Sequence, residues 1–197
     1  MSKAVMLSIR PKWCEKIASG EKTIEVCKTR PKLETPFKCY IYCTVERAEY
    51  DALWVLDAPT RGKYSLMAVC AYLENPEGAN KGNGKVIGEF TCERIVPITY
   101  DGDRLWCLTN AAFSPATCLS QAEIIAYVGD KGRCYGWHIS GLLIYDQPRE
   151  LTEFRLACPN SLYCKSCTMY WENNGTCRNE SLQIKRPPQS WCYVEEG

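Results

Sequence analysis

Four cysteines near the C-terminus form the strongest chemical pattern in the chain. A Cys-x2-Cys pair lies at their centre, and such a pair supplies two thiolates from one turn. A structural zinc ion takes four such ligands in a tetrahedron, which leaves no open position for catalysis. The pattern therefore predicts a structural zinc site. Its ligands would be Cys158, Cys164, Cys167 and Cys177.

The segment that carries these cysteines supports the zinc prediction. Residues 157–182 are rich in Asn, Ser, Gly and Tyr and have too few aliphatic side chains to form their own core. A bound metal would replace that missing core. Two alternatives stay open, namely four loose thiols or a disulfide formed on oxidation. His138, the only histidine, could replace one cysteine, but the sequence favours a structural histidine on a strand.

A dense group of basic side chains near the N-terminus is the second chemical feature. Lys22 lies where a predicted helix ends and a strand begins, so its side chain can project into a cleft and position a phosphate. A lysine becomes a nucleophile only where its neutral form is favoured, and Glu25 would instead hold the ammonium charged. This favours binding over catalysis. The group comprises Arg10, Lys12, Lys22, Lys28, Arg30 and Lys32.

The basic group has two interpretations. It could be a solvated surface, because Glu15, Glu21 and Glu25 are interspersed in it. The basic residues outnumber these acids and flank a helix–strand corner, which predicts contact with phosphate.

Further polar and aromatic residues could recognise a base. Tyr135, Trp137 and His138 are candidates for stacking, because aromatic faces accept unpaired bases. Trp137 and His138 point to opposite faces of a strand, so only one of them can line a given cleft. Gln189 and Ser190 could hydrogen-bond a base edge, or they could be plain turn residues.

The elements that position these residues begin with a β-α-β pattern. Residues 3–9 predict a buried strand, and residues 11–20 predict a helix that opens with proline and stops at glycine. The next strand alternates, with Ile24 and Val26 on one face and Glu25 on the other.

Later segments predict more strands and two short helical pieces. Ser120 and Glu123 form a capping box that predicts a helix, and Pro148 is expected to open a helical turn. Residues 46–83 lack regularity, and the sequence gives no role for this insertion. The further predicted strands span residues 38–45, 84–98, 135–146 and 190–196.

The bulk composition limits the class of protein. The 197 residues, 46% of them hydrophobic, suit one full-sized domain with an insertion. A net charge of +1 argues against a dedicated non-specific DNA binder. No apolar run approaches the roughly 20 residues that span a bilayer, and no signal peptide is apparent. We expect a cytoplasmic protein without membrane association, in which the ten cysteines outside the cluster are buried thiols.

Five segments in order resemble the ASCH domain family. The family pattern Gly-x-Lys-x-x-Glu-x-Arg follows a helix that ends in Ser-Gly, and here it reads Gly20, Lys22, Glu25 and then Cys27 in place of arginine. Losing that arginine would leave Glu25 to pair with Lys28, Arg30 or Arg10. The segments span residues 7–31, 86–90, 135–140, 148–154 and 186–194.

The resemblance implies an α+β fold, a PUA-like small β-barrel with a few short helices and an inserted Cys-rich zinc loop. Residues 1–156 plus 183–197 would form the ASCH/PUA-like domain, and residues 157–182 the inserted loop. The family is similar to PUA domains, which have a cleft beside the first helix. The resemblance therefore implies binding of RNA or a modified nucleotide in that cleft.

Two alternative functions stay open. Some ASCH proteins deacylate N4-acetylcytidine with the motif lysine, a threonine and a glutamate. By position the lysine is Lys22, the threonine position falls on Glu25, and Glu123 is a candidate for the glutamate. The departure at Glu25 argues against this amidohydrolase. The other alternative is an adaptor that binds a protein partner through the Cys-rich loop.

Overall fold

The computed structural model describes residues 2–45, 84–100, 105–107, 113–129, 132–159, 166–174, 177 and 179–196. The 46–83 insertion and Cys164 lie outside these residues. No helix within the described ranges is long and apolar enough to cross a membrane.

Seven strands and several short helices make up the described structure, which is α+β as predicted. The strands are β1 (Lys3–Ile9), β2 (Ile24–Cys27), β3 (Phe37–Cys43), β4 (Val86–Tyr100), β5 (Leu105–Cys107), β6 (Arg133–Arg149) and β7 (Trp191–Glu195). The helices are α1 (Pro11–Ala18), α2 (Phe113–Thr117), α3 (Gln121–Val128) and α4 (Thr168–Glu172), with 3-10 turns at Leu151–Glu153 and Glu180–Leu182.

The predicted strands and the two predicted helices are confirmed, with one difference after β6. Pro148 lies inside β6, and the helical turn begins only at Leu151. The reason is the ladder to β4, which still pairs Val86 with Arg149 beyond the proline. Proline is tolerated in a strand where its missing N–H is not needed for pairing.

The strands form one mixed sheet in the order β2-β6-β4-β3-β1-β7, and β5 pairs with β4. β1 runs parallel to β3, and the other ladders are antiparallel. The two strands of the β-α-β pattern, β1 and β2, therefore lie far apart in the sheet.

The mixed sheet is consistent with the predicted small β-barrel-like fold, but the sheet that the described residues form is not closed. No ladder joins β2 to β7 among the described strands. Because β2 has only four residues, it presents little backbone edge to the far strand. Side chains connect these ends instead: Trp191 Nε1 donates to Thr29 Oγ1 at 2.9 Å, and Lys32 N donates to the Tyr193 hydroxyl at 2.7 Å.

The main core lies between α1 and one face of this sheet. Ile17 and Cys14 of α1 pack there against β1, β3 and β4. The prediction of buried thiols is confirmed for six cysteines, whereas Cys118 and Cys192 are only half-buried. Burial raises the pKa of Cys92 to about 12. The six are Cys14, Cys27, Cys39, Cys43, Cys92 and Cys134.

A smaller core holds α3 against β2. Ile24 and Val26 face Ile124 and Val128 of the helix, which explains why β2 is covered on this side. The predicted capping box at the start of α3 is present, with Ser120 and Glu123 side chains bonding each other's backbone N–H. This packing brings α3 close to the corner between α1 and β2.

Candidate functional site

A cavity of about 370 Å³ lies at the corner between α1, β2 and α3. We call it the cleft. Two aromatic residues that the sequence did not single out, Trp13 and Tyr127, also line it. The predicted residues that line the cleft are Arg10, Lys12, Lys22, Glu25, Glu123, Gln189 and Ser190.

The end of α1 turns Lys22 into this cleft. Gly20 adopts a φ of +78°, a conformation that favours glycine, and reverses the chain after the helix. Lys22 N then donates to Lys16 O at 2.8 Å. As a result the Lys22 side chain is 2% exposed, and its Nζ donates to Thr117 O at 2.7 Å.

Lys22 and Glu25 form an ion pair at the floor of the cleft. Lys22 Nζ lies 3.3 Å from Glu25 Oε2, and the Glu25 side chain is 14% exposed. That contact lacks hydrogen-bond geometry, so the buried Oε2 has no hydrogen-bond donor in the described structure. Burial raises the pKa of Glu25 and outweighs the opposing effect of Lys22. The floor therefore holds the partly exposed carboxylate of Glu25, whose Oε2 is itself buried, beside the almost fully buried ammonium of Lys22.

Trp13 provides an aromatic wall next to this pair. Its ring centroid lies 4.3 Å from Lys12 Nζ and 5.1 Å from Lys22 Nζ. A signal for Trp13 exists in the sequence. The buried stripe of α1 consists of Pro11, Cys14, Ile17 and Ala18, and Trp13 falls outside it among basic residues.

Several predicted binding residues lie elsewhere. Lys28 and Arg30 line a neighbouring depression instead of the cleft. Trp137 is fully buried, with its ring 5.7 Å from Phe37 and 6.1 Å from Trp191 between centroids. It offers no face to a base, which corrects the stacking prediction for Trp137.

Glu123 lies at the rim of the cleft and is committed to the helix cap. Its Oε2 accepts hydrogen bonds from Ser120 N and from Ser120 Oγ, each at 2.8 Å. The backbone bond from Ser120 lowers the pKa of this carboxyl, so Glu123 is held as a carboxylate. Glu123, the candidate for the deacylase glutamate, is therefore engaged in the cap of α3.

The described part of the Cys-rich loop shows no metal centre. Cys158, Cys167 and Cys177 are half-buried free thiols. No three His, Cys, Asp or Glu side chains come together within the residues that the structure covers. Since Cys164 lies outside that part, the zinc site and the protein partner proposed for the same loop stay predictions.

No family model and no curated protein matches the chain. Comparison with solved structures does find chains that are similar to this one. One is the ASCH protein of Zymomonas mobilis, at 16% identity and a TM-score of 0.46, covering 98% of this chain and 88% of that one. A tyrosine-to-phenylalanine variant of that protein matches at 16% identity and a TM-score of 0.46. The match covers 99% of this chain and 92% of the variant's chain. These solved structures are ASCH proteins.

The ASCH pattern of the sequence coincides with the floor of the cleft. Gly20 turns the chain, and Lys22 and Glu25 form the ion pair. Cys27, in place of the family arginine, lines the cleft as a buried thiol. Burial raises its pKa well above the ordinary value. Lys22 is thus the ionic partner of Glu25, whereas Lys28, Arg30 and Arg10, which the sequence offered for this role, form no ion pair with it in the described structure.

His138 lies on β6 opposite Ile24, outside the residues that line the cleft. Burial, followed by the charge of Arg94, lowers its pKa from the ordinary value of 6.5. We expect its NMR titration midpoint to lie below 6.5 and to rise in Arg94→Gln.

This shift has a defined effect on stability. Between the lowered native pKa of His138 and 6.5, the unfolded chain binds more protons than the native one, so stability rises with pH across that window. The contribution is lost as pH falls through the window, and His138→Gln should lack it. Urea unfolding of both proteins over about pH 5–7 measures the difference. A midpoint at or above 6.5 would contradict this assignment.

Proposed function

We propose that the cleft binds RNA or a modified nucleotide through one base, without converting it. The supporting observation is the Lys22–Glu25 pair on the floor of a cavity of about 370 Å³. This volume falls within the range of roughly 300–1,000 Å³ that is usual for small-ligand pockets. The partly exposed Glu25 carboxylate, held in place by Lys22, can accept a hydrogen bond from a donor on a base edge, and Trp13 offers a face for stacking.

The mouth of the cleft suits a phosphate. Arg10 and Lys12 are exposed and line the same cavity as the ion pair. Exposed cations of this kind position a nucleotide by its phosphate, while buried polar groups select the base. Gln189 and Ser190 complete the lining, and the Gln189 amide can donate to or accept from a base edge.

Binding is better supported than the amidohydrolase alternative. The Lys22 side chain is engaged on both sides, because its Nζ donates to Thr117 O and pairs with Glu25. A glutamate stands at the position where the deacylases have threonine, so no hydroxyl is available there. Glu123 is engaged in the cap of α3.

Calorimetric titration of the whole chain with the four ribonucleosides and their 5′-monophosphates, at two salt concentrations, tests the proposal. We expect monophosphates to bind more tightly than nucleosides, and the gain to shrink at higher salt. Arg10→Gln should remove most of that gain, whereas the matched control Arg94→Gln, an exposed arginine outside the cleft, should retain it.

Two results would overturn the proposal. The first is the absence of binding by every nucleoside and monophosphate. The second is release of cytidine from N4-acetylcytidine that stops in Lys22→Ala, which would establish the amidohydrolase instead.

A further inference from the structure

A second depression, of about 480 Å³, lies beside the cleft. Its lining contains three exposed cations and no acidic side chain. None of these cations pairs with a carboxylate among the residues that the structure describes. We call it the basic depression. It is lined by Lys28, Thr29, Arg30, Arg133 and Tyr135.

We propose that the basic depression binds the phosphodiester backbone of a single-stranded nucleic acid whose one base occupies the cleft. This inference rests on the proposed function and deepens it. It makes a single-stranded nucleic acid the preferred ligand over a free nucleotide, and it assigns a binding role to Arg133.

The two sites are adjacent. Lys28 Nζ, in the basic depression, lies 5.0 Å from the ring centroid of Tyr127, which lines the cleft. The chain after β2 is held in place here, since Thr29 Oγ1 accepts a hydrogen bond from Trp191 Nε1 at 2.9 Å. A nucleic acid that leaves the cleft past Tyr127 would therefore reach the cations of the basic depression.

The chemistry of the two sites together selects the ligand class. Three cations without local counter-ions favour a polyanion, and arginine forks match phosphate oxygens. A cleft of this size accommodates one unstacked base, as single strands provide and duplexes do not. An acidic peptide would satisfy the cations but has no group for the cleft.

Titration of the whole chain with a mixed-sequence tetraribonucleotide, compared with the best-binding 5′-monophosphate, tests this inference. We expect the tetranucleotide to bind about tenfold more tightly, as two or three exposed ion pairs allow. Arg30→Gln/Arg133→Gln should remove this gain while changing the monophosphate affinity less than about twofold. Because this variant has two fewer cations to neutralise phosphates, the slope of log Kd against log salt should fall by about 1.4.

The matched control is Arg94→Gln/Lys185→Gln, which removes two exposed cations outside the basic depression and should keep the gain. If the monophosphate binds and the tetranucleotide gains nothing, the inference fails while the proposed function stands. If neither ligand binds, both fail. Equal competition by oligoglutamate would overturn the assignment to nucleic acid.

Discussion

Replacing Lys22 by methionine is expected to lower the free energy of unfolding by about 3 kcal/mol, because it leaves a buried charge without its partner. The Lys22 side chain is 2% exposed, and its Nζ lies 3.3 Å from Glu25 Oε2. In the variant the Glu25 carboxylate must be either protonated or solvated at the expense of the packing around it. Urea unfolding at neutral pH measures the loss.

A second substitution separates the ion pair from simple packing. Lys22→Met/Glu25→Gln removes both charges, so it should recover most of the lost stability. The matched control is Lys16→Met, because Lys16 also pairs with a carboxylate, that of Glu21, but is 43% exposed. Its stability should equal that of the wild type. Equal stabilities for the single and double variants at Lys22 would show that the ion pair is not the cause.

Replacing Trp13 by alanine is expected to weaken nucleotide binding by roughly tenfold to a hundredfold, the range for loss of one base–aromatic stack. Trp13 is the aromatic wall beside Lys22, with 5.1 Å between its ring centroid and Lys22 Nζ. Trp13→Phe keeps an aromatic face and should retain most of the affinity. The Kd of the best-binding monophosphate is the measurement.

Trp171→Ala is the matched control for this prediction. Trp171 is 65% exposed and does not line the cleft, so its loss should leave the affinity unchanged. Because Trp13 also packs against the main core, thermal unfolding of each variant must show a folded protein at the temperature of the titration. If Trp13→Ala bound the monophosphate with wild-type affinity, stacking on Trp13 would be contradicted.

The corner between α1 and β2 could be predicted because its rules are local. Pro11 begins the helix and Gly20 ends it. The alternation in β2 places Glu25 on the opposite face of the strand from Ile24 and Val26. These few residues are enough to direct Lys22 and Glu25 toward one place.

The rest of the cleft depends on distant segments, which single-sequence patterns do not bring together. Lys22 donates to the carbonyl of Thr117, 95 residues away, and Tyr127 comes from a helix packed on β2. Trp137 shows a second limit. Alternation separates the two faces of β6 but does not indicate which one is buried, and Trp137 lies on the core side.

The strand order is also non-local. β1 pairs in parallel with β3 and antiparallel with β7, the last strand of the chain. Among the described strands no ladder joins β2, which ends after four residues, to β7, and the local patterns of these two strands do not reveal this.

The reactivity of the six buried cysteines depends on whether the core is folded. Burial raises the pKa of Cys14 and Cys39 well above the ordinary value, so few reactive thiolates exist while the core is closed. Opening the core exposes these sulfurs to alkylating reagents and to oxidation. Unfolding without a reductant would therefore be followed by disulfide cross-linking between chains, which converts a reversible transition into irreversible loss of the protein.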